Sequence, residues 1–122
     1  MAPTQGPEPW RGKELRVVRL VDDSTTVTIP EGVSITFLWS SDGRVAGKAP
    51  VNRYFGSLEE FRDGRVHWNG GVASTRMGGP PGLMILEATF LKVLGAVSRS
   101  SGRERSLVLS AQDGRSEVEL AP

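Results

Sequence analysis

The run from Ala73 to Leu91, ASTRMGGPPGLMILEATFL, constrains this chain more than any other stretch. An extended segment halts at a Gly-Gly-Pro-Pro-Gly corner, and a helical pattern begins there. Leu83, Leu86, Phe90, Val93 and Leu94 recur at the spacing that lines one face of a helix. That pattern predicts a helix over residues 81–94. Pro80 and Pro81 suit its start, where a missing N–H removes no helical hydrogen bond. Gly95 is the expected left-handed cap at its end.

The rest of the chain reads as short strands between tight turns. Asp42-Gly43, Asp63-Gly64, Asn69-Gly70 and Asp113-Gly114 are hairpin signals, because Asp-Gly and Asn-Gly tolerate positive φ. Ser100-Ser101-Gly102 reads as a looser fifth turn. Strands are predicted over 15–21, 25–29, 34–39, 44–47, 53–61, 65–68, 72–76, 96–98, 106–110 and 116–120. In the first, Leu15, Val17 and Arg19 share one face, with Arg16, Val18 and Leu20 on the other. In the last, Glu117 and Glu119 alternate with Val118 and Leu120, one wet face and one dry. The expected fold is mainly β (α+β): a small antiparallel, barrel-like meander of about eight strands, with one amphipathic helix covering an end or face.

At 122 residues, with 38% hydrophobic and 24% charged side chains, the chain has the balance of one globular domain. Residues 1–9, rich in proline and polar groups, read as a flexible leader, and 10–122 as the domain. The net charge of +1 gives no reason to expect a nucleic-acid partner. The absence of cysteine removes disulfides, thiol nucleophiles and thiolate metal sites. No apolar run has the length of a membrane span or the form of a signal peptide, so membrane insertion is not expected and the cytoplasm is the simplest address.

Groups able to do chemistry are sparse. His67, the only histidine, falls inside a strand beside Trp68, and no cofactor or metal site is expected around it. Glu59 and Glu60 are strand neighbours, so they point to opposite faces. Asp22 and Asp23 read as a turn whose side chains fold back on the backbone. Gly78-Gly79-Pro80-Pro81-Gly82 is glycine-rich before a helix, but its prolines lack the amides of a phosphate cradle. Arg99, Arg103 and Arg105 read as a solvated hairpin tip. Met77, Trp68, Tyr54 and Phe55 read as core rather than as an exposed patch. No catalytic residue stands out.

Two marked segments in order, Pro50-Val51-Asn52-Arg53-Tyr54-Phe55-Gly56 and Thr75-Arg76-Met77-Gly78-Gly79, resemble those of the META (HslJ-like) domain. The resemblance runs from about Trp10, which matches the family's opening tryptophan, to Leu120. Many bacterial members read Gly-Cys-Asn-x-Tyr-x-Gly at the first segment, and this chain keeps Asn52, Tyr54 and Gly56. They read Thr-x-Met-Ala-Cys at the second, and it keeps Thr75 and Met77. Glu87 keeps the helix's acidic position, and the Gly-Pro-Pro corner is closer to kinetoplastid members. Both family cysteine positions are vacant together, at Val51 and Gly79. The resemblance implies that these two positions face each other, bridged in exported relatives.

The family offers no established catalytic residues to carry over. Its bacterial members are linked to heat shock, envelope stress and drug resistance, and its parasite members to virulence. The expected role is therefore a non-catalytic, stress- or virulence-associated module docking an unidentified protein partner. Asn52, Arg53, Tyr54, Arg76, Met77, Gly79 and Pro80 form the candidate surface, where the 50–57 and 74–82 loops meet. A monomer is the favoured state. The alternative is a barrel holding a small apolar ligand, which Phe37, Trp39, Phe90 and Leu91 argue against by filling the interior. An enzyme ranks third.

Overall fold

A computed structural model describes residues 10–122, so the predicted leader over 1–9 lies outside the described residues. The chain runs β1 (Glu14–Asp22), β2 (Thr25–Val27), β3 (Thr36–Trp39), β4 (Arg44–Lys48), β5 (Arg53–Glu60), β6 (Val66–Ser74), α1 (Pro81–Gly95), β7 (Val97–Gly102), β8 (Leu107–Ala111) and β9 (Glu117–Ala121). All pairings are antiparallel, in the order β6-β5-β4-β3-β1-β9-β8-β7, with β2 sharing an edge of β1 with β3. The two ends of that order meet through an Arg65–Arg99 bridge and a hydrogen bond from Ser100 N–H to the Gly64 carbonyl at 2.8 Å. The result is a nearly closed eight-strand barrel with one helix. Helix α1 packs against β1, β6 and β9.

Local sequence explains most of this. Gly43, Gly64 and Gly114 take positive φ at the predicted hairpin turns. The helical stripe faces inward as expected: Leu86, Phe90, Val93 and Leu94 are buried, with Leu83 half-buried above them. Trp10 is buried too, and the following Arg11 ties the chain's start to the barrel. Its guanidinium lies 4.0 Å from the Trp39 ring centre and donates to Glu60 at 2.7 Å. Phe37, Trp39, Tyr54 and Phe90, each at most 1% exposed, belong to one contiguous core drawn from all sides of the barrel. Side chains, not a hollow, occupy the middle.

Four expectations need correction. Asn69-Gly70 is not a turn between two strands. Gly70 and Gly71 both take positive φ inside one strand, β6, where the pairing with β5 shifts between Gly56 and Leu58. The left-handed residues that close a hairpin here make a bulge instead. The same physics moves Leu20. The β1–β9 register slips between Val17 and Arg19, which leaves Arg19 exposed and turns Leu20 into the core. Gly95 is no left-handed cap, since the helix ends at Ala96 with φ −100° and ψ 0°. The Trp68 indole supplies what the glycine does not, donating to the Leu94 carbonyl at 2.8 Å. Finally, Ser100-Ser101-Gly102 belongs to β7, and the turn falls beyond it, closed by Arg103 N–H on the Ser106 carbonyl. Arg99 therefore sits in a strand at the seam.

The acidic pair at 22–23 differs as well. Asp23 and Ser24 adopt φ of 50° and 70° in the β1–β2 turn. Their neighbours are side chains from elsewhere: Asp22 pairs with Lys92 at 2.9 Å and Asp23 with Arg115 at 3.0 Å.

Candidate functional site

The two marked segments meet over the first turns of α1, around one carboxylate. Glu87 lies on the inward stripe, four residues after Leu83, and is only 4% exposed. An unpaired carboxylate in that place would be expensive. Its Oε1 accepts from Val51 N–H and Asn52 N–H, both at 2.7 Å, and its Oε2 accepts from Asn52 Nδ2 at 2.6 Å. Burial pushes its pKa up. The bonds from the Asn52 side chain and backbone, the Val51 amide and the Lys48 charge outweigh burial, holding the carboxyl below its ordinary range. The helix is thereby clasped, ionised, to the loop before β5.

Asn52 passes the clasp on. Its Oδ1 accepts from Met77 N–H at 2.6 Å and from the Thr75 hydroxyl at 2.9 Å, while Nδ2 also donates to the Met77 carbonyl at 3.0 Å. One side-chain amide thus binds both backbone groups of Met77, as a neighbouring strand would. Thr75 completes the link, its N–H on the Arg53 carbonyl at 3.0 Å and its hydroxyl accepting from Arg53 N–H at 3.1 Å. The 75–80 strap is exposed along its length yet held at 75 and 77.

The expected surface residues therefore divide. Arg53, Arg76, Met77, Gly79 and Pro80 are exposed, with Met77 at 63%. Asn52 and Tyr54, at 2% and 1%, are not surface residues at all. Asn52 is the hub just described. Tyr54 stands edge-on to Phe90 at 5.4 Å and donates to the Thr36 carbonyl at 2.5 Å, its buried phenol pushed above its ordinary pKa. The expected Met77–Trp68–Tyr54–Phe55 core also splits: Trp68 and Tyr54 are inside, Phe55 and Met77 outside. His67 is exposed on β6 opposite Glu59.

Val51 and Gly79 do face each other. A Cβ placed on Gly79 would lie 3.6 Å from Val51 Cβ and 2.8 Å from its Cγ2. The first distance is within the range that disulfides span, and the second shows that valine's branch claims the space a side chain at 79 would need.

Between the strap and α1 lies a groove of about 380 Å³, lined by Ser74, Arg76, Met77, Met84, Ala88 and Leu91, with Asn52 and Glu87 at its base. Of the three methionines in the chain, the two beyond Met1 both flank it. Sequence reasoning missed Met84 and gave Glu87 only an acidic helix position, and Leu91, expected to fill the interior, is instead half-buried and lines this groove. The signal for Glu87 was present, since a carboxylate at that position of the stripe must turn inward with it. Among the described residues no three His, Cys, Asp or Glu side chains converge as a metal ion would require. No helix among them is long and apolar enough to cross a membrane.

A nearly closed antiparallel barrel, filled by its own side chains and clasped to one helix through a buried Glu–Asn pair, defines a small mainly-β domain with its marked loops at one end. The chain belongs to the META-domain family, whose sequence profile matches residues 9–121. Among solved structures it is similar to a protein from Burkholderia xenovorans determined by NMR, with TM-score 0.74, 23% identity and coverage of 99% of this chain and 91% of that one. It is also similar to a DUF4847 family protein from Bacteroides vulgatus, with TM-score 0.68, 12% identity and coverage of 94% and 95%. At these identities the likeness is one of fold. No curated protein matches the chain in sequence.

Proposed function

We propose that this META domain is a non-catalytic interaction module that docks a protein partner through the strap at 75–80 and the groove it forms with α1. The observation that carries the reading is the pairing of Met77 and Met84 across one groove beside a strap that is exposed but pinned. Methionine suits such a place because its flexible, polarisable side chain adapts to varied apolar partners. Pinning suits it too, since a strap already held in shape loses less entropy on binding. The clasp of Glu87 and Asn52 is in this reading the scaffold of the surface, and Arg53, Arg76, Met77 and Pro80 are its face. The stress- or virulence-linked setting implied by the resemblance belongs to the same proposal and rests on family membership alone.

A photo-crosslinking residue at Met77, compared with one at the exposed Val18 on β1, tests the reading in the native cell. A partner captured at position 77, absent at 18 and lost on Arg76→Glu supports it. A partner captured equally at both positions, or retained in Arg53→Glu/Arg76→Glu, contradicts it.

A further inference from the structure

The backbone beside the groove indicates what kind of chain would occupy it. Along an extended strand, N–H and C=O groups of successive residues point to alternate edges. Thr75 N–H turns toward β5, bonding Arg53, and both backbone groups of Met77 turn the same way, bonding Asn52. Ser74 and Arg76 therefore present theirs to the opposite edge, along the groove below α1. Among the described residues neither Arg76 N–H nor its carbonyl has a hydrogen-bond partner. This edge, the end of β6 and the strap that follows it, lies beyond the seam, since among the described residues the isolated bridge to β7 is made by Arg65, just before β6, with Arg99.

Two further observations define the occupant. Met77, Met84 and Leu91 offer a yielding apolar seat along the open groove. The Arg53 and Arg76 side chains make no ion pair with any carboxylate among the described residues. Glu87, the carboxylate that lines the groove, is engaged by its three donors.

Resting on the docking surface proposed above, we infer that the occupant is an extended, acidic peptide segment of a protein partner, added as a strand to the Ser74–Arg76 edge. Its backbone bonds Arg76 N–H and C=O, one apolar side chain sits against Met77, Met84 and Leu91, and a flanking carboxylate meets Arg76. Strand addition of this kind draws affinity from the main chain and specificity from alternate side chains.

The test uses the full chain, labelled for NMR, and pools of blocked octapeptides carrying a central Leu. One pool is flanked by Asp and Glu, a second by Lys, and a third is the acidic pool N-methylated at alternate amides. The acidic pool should shift the Met77 and Met84 methyl signals and slow hydrogen exchange at the Arg76 amide. The Lys and N-methylated pools should bind at least about tenfold more weakly, the loss expected from one charge-assisted or backbone hydrogen bond. Arg76→Glu should reverse the preference between acidic and basic pools. Equal binding of acidic and basic pools, or methyl shifts without protection of the Arg76 amide, would overturn the inference. No shift with any pool, while a partner is still captured at Met77, would overturn strand addition and leave the docking surface standing. Failure of both experiments would remove both.

Discussion

Two regions of this barrel handle charge in opposite ways. Where the marked loops meet α1, one carboxylate is buried, held by three short hydrogen bonds, and joined through Asn52 to a strap some 25 residues further along the chain. At the seam and the β7–β8 tip, arginines reach their carboxylates from the solvent side. Asp63 pairs with Arg65 at 2.8 Å and Arg103 with Glu119 at 3.7 Å, both arginine side chains more than half exposed. Exposed pairs gain little, because water and salt screen them and ordering two long side chains has an entropic cost. A buried, fully satisfied carboxylate is different in kind, since losing any partner strands a desolvated group. The two marked segments meet in the first region. What they specify is the positioning of a loop, a strap and a helix.

The largest expected effect comes from breaking the clasp. Glu87→Ala leaves the Val51 and Asn52 amides without an acceptor and should destabilise the domain by about 3 kcal/mol, lowering Tm by roughly 10 °C. A thermal melt beside the wild type measures this, and a fall of a degree or two would place the clasp on the level of the exposed pairs. In the opposite direction, Val51→Cys/Gly79→Cys should form a disulfide on mild oxidation. Removing valine's second branch makes room for the new side chain, and the bridge should stabilise the domain by about 3 kcal/mol, reversed by reductant. Mass spectrometry and melts with and without dithiothreitol read both outcomes.

The acid response should also separate the two regions. Glu87 titrates lower in the folded chain than in the unfolded one. Its contribution is therefore complete above the unfolded value, about 4.3, and is lost as pH falls through the folded value. Denaturant midpoints between pH 6 and pH 3 should fall in the wild type and flatten in Glu87→Gln. Asp63 also titrates low through its bonds with Arg65, but it is exposed to screening solvent, and Asp63→Asn should leave the profile's shape unchanged. The smallest effect is expected for Arg103→Ala, within about 0.5 kcal/mol of wild type.

This contrast also explains what could be read from sequence. The helix was legible because five apolar residues repeat at its period and two prolines mark its start. Three Asp-Gly hairpins were legible because their left-handed glycines are required there. Asn69-Gly70 misled, since a bulge calls for the same left-handed backbone as a turn. The inward turn of Leu20 was invisible, because it depends on a slip against β9, a strand nearly a hundred residues away. At the site, the convergence of the two segments and the facing of positions 51 and 79 followed from the resemblance. The burial of Asn52 did not, because a polar residue in a loop looks exposed until its partners are known, while Tyr54 was read both as core and as part of the surface, and only the first reading holds. The Asn52 partners include both backbone groups of Met77, and the Tyr54 hydroxyl bonds the Thr36 carbonyl; backbone groups leave no mark in composition or spacing.

The central claim is that Glu87 and Asn52 act as one unit that places the strap. A double-mutant cycle of Glu87→Ala and Asn52→Ala, read by denaturant unfolding, measures it directly. The account predicts a coupling of about 1.5 kcal/mol or more, with the second mutation costing far less once the first is made. Strictly additive losses would contradict it.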